Sequence, residues 1–442
     1  MLSPNTKPVI IISHDIVGEQ MAGPGIRYYQ LAKVLGQTIP TILAMPSGSS
    51  LDAEGQFSTI PYKNGTDLDL QTAIESARAV LVPAIFLSTI PILLDTQIPI
   101  IIDGYDPYIA ETLAFAKGDL QAMQVSLTQA YLKGDFFICA SERQRDWWLG
   151  LLEANGRINP LNFQADASLR QLTDVVAYGH PEALPHHSKS VIKTIWPGIE
   201  AQDRLLLWGG GLWSWLDPLT AIRAVAKIYE QRQDVKLVFP GTKHPNPDVP
   251  ESVNQNKAAK ALAQDLGILD KAVFFGDWVP YDDWANVLLE CDVALTLHND
   301  TLETRLAFRS RALEYIWASL PIIATKGDAV SELVEKYELG MVVDYQDEAD
   351  VVNAILTLLD QPRVHFETRF NQIRDKFSWD QVAQPLIRFC QSPTQAADKK
   401  MDAPFPGNAY YLNQISSLHT VISNYERGRF MRFMRWIKRI TA

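Results

Sequence analysis

Residues 300–332 read DTLETRLAFRSRALEYIWASLPIIATKGDAVSE, and the order of features along them decides the fold. An arginine-dense turn carrying Arg305, Arg309 and Arg311 leads into a helix-like run, ALEYIWASL, that stops at Pro321. IIAT follows as a short apolar strand, and Gly327 opens a polar turn that reaches Glu332. Turn, helix, strand and turn make the cadence of an α/β domain, where ligands sit at the carboxyl ends of strands. Guanidinium forks match phosphate oxygens, and a carboxylate such as Glu314 accepts two ribose hydroxyls, so the stretch suits a nucleotide diphosphate. Arg309 lies five positions before Glu314, and a helix turns every ~3.6 residues. Only a bent loop–helix junction lets both reach one ligand. The same residue types also read as a solvated basic turn before a buried helix.

Working outward, the pattern recurs upstream in RLLLWGGGLWSWLDPLTAIRAVAKIYE, residues 204–230. Gly209, Gly210 and Gly211 permit close backbone approach to a diphosphate. Trp213 and Trp215 either wall a base or sugar or belong to the core. Strand runs end in glycine turns at 235–243 and 272–280, and 292–300 delivers His298 to the mouth of the arginine turn. The chain opens in the same way: PVIIIS is a buried-strand run. Gly18, Gly23, Pro24 and Gly25 form a loop before a helix over 26–35. Gly23, Gly25 and Arg27 are candidates for an anion-facing loop. Strand candidates near 40–45, 79–84 and 98–108 follow, the last carrying Asp103, Tyr105 and Asp106 at its carboxyl end. Asp103 and Asp106 are candidate catalytic carboxylates, and Tyr105 a candidate acceptor contact. Residues 135–157 read as strand, polar turn and aromatic amphipathic helix, with Arg143 and Arg145 on its surface.

Three prolines and two glycines break the periodicity over 174–200, the best domain boundary. Its adjacent His186 and His187 point apart and suit an exposed linker better than a metal pair. The chain has 442 residues, 47% hydrophobic and 21% charged, an ordinary globular composition. A net charge of −11 argues against a general nucleic-acid binder. Three cysteines, far apart and without metal spacing, suit a reducing compartment. No signal-peptide pattern or membrane-length apolar run is visible, which points to the cytoplasm. Over 425–442, six basic residues stand against Glu426, a local +5 that leaves −16 for the rest. Phe430, Met431, Phe433, Met434, Ile437 and Ile440 recur there at helical spacing. We expect residues 416–442 to bind an anionic membrane surface as a helix, after a flexible polar linker beginning at Gln391.

LAFRSRALEYIWASLPIIAT resembles the donor-site segment of family 4 (group 1) glycosyltransferases, which have the GT-B fold. Those enzymes carry two glutamates eight positions apart around a Phe-Gly step. Glu314 falls on the second, Leu306 stands at the first, Phe308 matches, and Arg309 replaces the glycine. FSWDQVAQPLIRFC, 377–390, matches the closing helix of the family. The resemblance spans residues 9–390. It implies two Rossmann-like domains facing a central cleft: 1–178 on the acceptor side, a linker at 179–200, and 201–390 on the nucleotide-sugar side. Residues 391–442 add a polar linker and a helical tail. The resemblance further implies transfer of a sugar from a nucleotide-diphosphate donor to an acceptor hydroxyl, with retention, no cofactor and no obligatory metal. With the basic tail, we expect a membrane-linked glycan or lipid acceptor of the cell envelope. Glu314 then holds the donor ribose, with Gly210, Gly211, Trp213 and Glu332 around the donor. The family's loop arginine and lysine are replaced here by glycine and Leu216, so Arg305 and Arg309 take over the diphosphate, Arg309 also serving catalysis. A sugar-nucleotide epimerase or a catalytically silent scaffold on the same fold are the alternatives.

Overall fold

The computed structural model describes residues 7–51, 55–115, 119–247, 249, 255–400, and also 415, 417, 418, 421, 425 and 428. Among the described residues the strands fall into two wholly parallel sheets. The first holds β1 (Val9–Ile12), β2 (Thr41–Pro46), β3 (Ser58–Tyr62), β4 (Ala79–Pro83), β5 (Ile100–Asp103), β6 (Phe136–Cys139) and β7 (Thr173–Val175). Their order is β3-β2-β1-β4-β5-β6-β7. The second holds β8 (Arg204–Leu207), β9 (Val235–Pro240), β10 (Val273–Gly276), β11 (Val293–Thr296), β12 (Ile322–Thr325) and β13 (Gly340–Val343), ordered β10-β9-β8-β11-β12-β13.

The physical cause is visible in the strands themselves. All four residues of β1 are fully buried, because helices cover both faces of a parallel sheet. Its neighbours pair in register, Val9 with Thr41 on one side and with Ala79 on the other. Reversal of strand order at β1/β4 and again at β8/β11 opens a crevice beyond the carboxyl end of each sheet. The two crevices face each other.

Two edge strands, β3 and β7, escape a reading by apolar runs. β3 is only partly buried and contains Pro61, and β7 is three residues long with a polar start. A strand broken by proline, or one opening on Thr173 and Asp174, leaves no apolar run to read. The expected glycine loop before the first helix is also shorter than it reads, since the helix Gly23–Gly36 already begins at Gly23. Proline fits there because the first turn needs no intrahelical N–H bond.

The chain closes by crossing back. Trp379 packs edge-on against Tyr178 with ring centroids 4.8 Å apart, and Phe389 stacks on Phe136 at 4.7 Å. Residues 392–400, the described part of the stretch expected to be a flexible linker, are tied to the first half of the chain. Asp398 forks onto Arg157 at 2.7 and 3.2 Å, and Lys399 pairs with Asp135 at 2.9 Å. Charge pairing anchors what apolar burial does not. The basic residues of 427–439, on which the membrane expectation rests, lie outside the described residues. Among the described residues no helix is long and apolar enough to cross a membrane.

Candidate active site

Between the two sheets lies a cavity of about 350 Å³, lined by loops from both. On the first-sheet side the turn after β1 brings His14 and Asp15 to it, and the turn after β5 brings Tyr105 and Asp106. Glu111, from the helix Tyr108–Phe115, lies beside them. Burial, with Asp103 nearby, pushes the Asp106 carboxyl up to about 7. Burial and the proximity of Asp106 raise Glu111 well above the usual carboxylate range. Burial lowers His14 below an ordinary imidazole, against the pull of Asp15. These are groups a general acid or base is built from, because each is poised between its two protonation states or held neutral.

On the second-sheet side Gly209, Gly210 and Gly211 form the turn after β8. Gly210 has φ +92°, a conformation that favours glycine, and a Cβ there would come within 3.0 Å of the Arg311 Nε. Trp213 and Trp215 stack with centroids 5.6 Å apart, and Trp213 meets the His244 ring at 5.8 Å. Gln255 fixes this turn by donating to the carbonyls of Trp213 and Leu216 at 3.0 and 2.7 Å. Glu314, one turn into the helix Arg311–Trp317, accepts from Trp284 Nε1 at 2.7 Å and from Arg311 at 3.3 Å. Burial raises its pKa even against these donors.

Several expected site residues are held by other partners or lie outside the cavity. Asp103 is wholly buried and locked onto Arg27, with Nε to Oδ2 at 2.7 Å and Nη2 to Oδ1 at 3.2 Å. Arg27 spends its other N–H groups on the carbonyls of Val176 and Ala177, so it braces the cleft floor and does not reach for an anion. Burial works against its charge, yet Asp103 raises its pKa above the ordinary value. Gly25 is a packing glycine, because a Cβ would sit 2.3 Å from the Ile16 carbonyl oxygen. Arg305 is exposed on the short helix Leu302–Leu306, whose turn sends Glu303 and Leu306 inward instead. Arg309 lines the cavity, but its fork closes on Glu303 at 2.7 and 2.8 Å, leaving no free pair of donors for a diphosphate. Its Nε lies 3.6 Å from Asp328, which also faces His298 at 3.3 Å. Glu332 is 66% exposed and outside the cavity, ion-paired with Arg143.

Arg143 is therefore more than a surface residue. It also donates to the carbonyls of Gly327 and Arg305 at 2.7 and 3.1 Å, tying the first half of the chain to the second. Tyr105 does the same through its hydroxyl, which donates to Phe308 at 3.1 Å, and Trp278 Nε1 donates to Met21 at 3.2 Å. Gly23, Arg27, Tyr105, Asp106, Gly210, Gly211, Trp213 and Arg309 do line the common cavity. Sequence reading missed His14, Asp15, Glu111, Glu303, His244, Asn246 and Trp278, which line it as well. The loop after β1 and the DWVP turn after β10 held a usable signal, since both follow strand ends. Nothing local marks Glu111, which sits inside a helix.

Two facing, helix-covered parallel sheets with a cleft at their carboxyl ends define the GT-B architecture of glycosyltransferases. Residues 200–376 match the family described as glycosyl transferases group 1. No curated protein matches the chain by sequence. Solved structures of the same fold include sucrose-phosphate synthase from Thermosynechococcus elongatus, with TM-score 0.64 and 15% identity over 87% of this chain and 98% of that one. The Anabaena protein HepE in complex with UDP and glucose gives TM-score 0.63 and 14% identity over 87% and 100% of the two chains.

Proposed function

We propose that this protein transfers a sugar from a nucleotide-diphosphate donor to an acceptor hydroxyl, retaining the anomeric configuration. The observation that carries the reading is one cavity bounded by the glycine turn of the donor half and the Asp106 carboxyl of the other half. The complex of HepE with UDP and glucose supports the donor class. In this reading Glu314 accepts the ribose hydroxyls, and the amides of Gly209–Gly211 face the diphosphate. The anomeric carbon–oxygen bond to the diphosphate breaks, the acceptor oxygen bonds to that carbon on the face the diphosphate leaves, which keeps the configuration, and the acceptor proton passes to Asp106. Arginine and backbone dipoles, and no obligatory metal or cofactor, neutralise the leaving group. Glu111 and His14 line the acceptor side. The acceptor is a glycan or lipid-linked sugar of the cell envelope, reached from the cytoplasmic face of a membrane through the basic tail.

A panel of nucleotide-diphosphate sugars, with and without chelator, tests this. Slow release of nucleoside diphosphate and free sugar, unchanged by chelator, is the expected result. Return of an isomerised sugar nucleotide would mark an epimerase, and neither binding nor turnover would mark a scaffold.

A further inference from the structure

Arg311 occupies an unusual place. Its guanidinium lies 5.2 Å from the Trp284 ring centroid and 5.9 Å from that of Trp278, with Nη1 3.3 Å from the Glu314 carboxylate. Around it Met21, Pro240, Trp278, Tyr281 and Trp284 enclose a gap of only about 20 Å³, against about 350 Å³ in the main cavity. A gap of that size has room for about one water and none for a sugar ring. The indole-walled space beside Glu314 is thus filled by this side chain, which occupies the carboxylate oxygen Oε2 that a ribose hydroxyl would need. On its other side the chain runs along Gly210, whose missing Cβ leaves the room it uses.

We propose that Arg311 is a two-position residue: it stands in for the ribose at Glu314 in the donor-free protein and turns onto the diphosphate at the Gly210 turn when the donor binds. The inference rests on the nucleotide-donor reading above and adds which residue selects for the diphosphate. The swing needs little travel, since the guanidinium already borders both Glu314 and Gly210. A nucleoside without phosphates must strand the displaced guanidinium with no anion, so it binds poorly. A nucleoside diphosphate replaces the lost carboxylate contact with a bidentate phosphate contact. Arg305 and Arg309 do not compete for this role, one being exposed and the other closed on Glu303.

The test is calorimetric titration of the full chain, wild type and Arg311→Ala, with the common nucleosides and their diphosphates. The two affinities should move in opposite directions. Alanine should tighten the nucleoside at least about fivefold by removing the displaced plug, and weaken the diphosphate at least about tenfold by removing its fork. Arg311→Met, which keeps the stem packed on both indoles, repeats the comparison if alanine fails to fold. Equal losses for both ligands would make Arg311 a structural residue, and unchanged affinities would place it outside donor recognition. Either overturns the inference while leaving the donor reading intact. Absence of any nucleotide binding by the wild type would overturn the donor reading, and this inference with it.

Discussion

Arg27 and Asp103 meet as a buried, two-point ion pair, 2% and 0% exposed, at the junction of the first helix and β5. The pair sits directly beneath Tyr105, whose ring lies 4.5 Å from the guanidinium, so it sets the floor of the cleft. Breaking one side leaves an uncompensated buried charge. Arg27→Met should therefore cost about 3–5 kcal/mol of stability, whereas the double change Arg27→Met with Asp103→Leu should recover most of it. Chemical denaturation of the three chains checks this. Equal instability of single and double variants would show that the contacts to Val176 and Ala177 matter more than the charge pair.

Asp106 makes opposite predictions for rate and for stability. Its carboxyl stays protonated to about pH 7 in the folded chain, while an ordinary aspartate ionises near ~4. Between those values the folded state binds the extra proton, so stability falls as pH rises through the window. Activity that uses Asp106 as base should rise over the same window, since the ionised form takes the proton. Asp106→Asn should flatten both slopes and lower kcat by about 100-fold or more. Thermal melts and pH–rate profiles measure the two.

Glu314 and Arg309 should separate in ligand binding. Glu314→Gln should cost about 1.5–3 kcal/mol of transition-state binding, roughly 10–150-fold in kcat/KM. Arg309→Ala instead leaves Glu303 buried without its partner, and should weaken nucleoside and nucleoside diphosphate equally while lowering the melting temperature. A loss confined to the diphosphate would return Arg309 to the phosphate site.

Asp398 should be needed by the first half of the chain, although it lies far along the sequence. Arg157 and Asp398 are 5% and 8% exposed. Asp398→Ala strands the arginine and should cost about 3 kcal/mol, read as an earlier denaturation midpoint.

The tail is tested with vesicles. At about 1 kcal/mol per basic residue near an anionic leaflet, the full chain should sediment with anionic liposomes and lose them in high salt. A chain ending at Leu412 should not sediment. Equal behaviour of the two would remove the tail as an anchor.

The strands and the doubled α/β cadence were legible in the sequence because each central strand is a run of branched apolar residues buried on both faces. β1, β8 and β12 announce themselves locally, and so does the glycine turn after β8. The resemblance around Glu314 was legible for a similar reason, since its landmarks lie within one short stretch. The side-chain partners were not. Arg305, Arg309 and Arg311 look alike in a row, yet helical rotation turns the first outward, Glu303 captures the second, and only the third stands between Gly210 and Glu314. Asp103 and Asp106 are three positions apart, and the fold gives one to Arg27 and the other to the cleft. Composition made 391–407 a linker, but Arg157, more than two hundred residues earlier, holds Asp398. Backbone pattern is a short-range property and is written along the chain. Which charge meets which depends on distances set when two sheets face each other, and only the tertiary structure decides those.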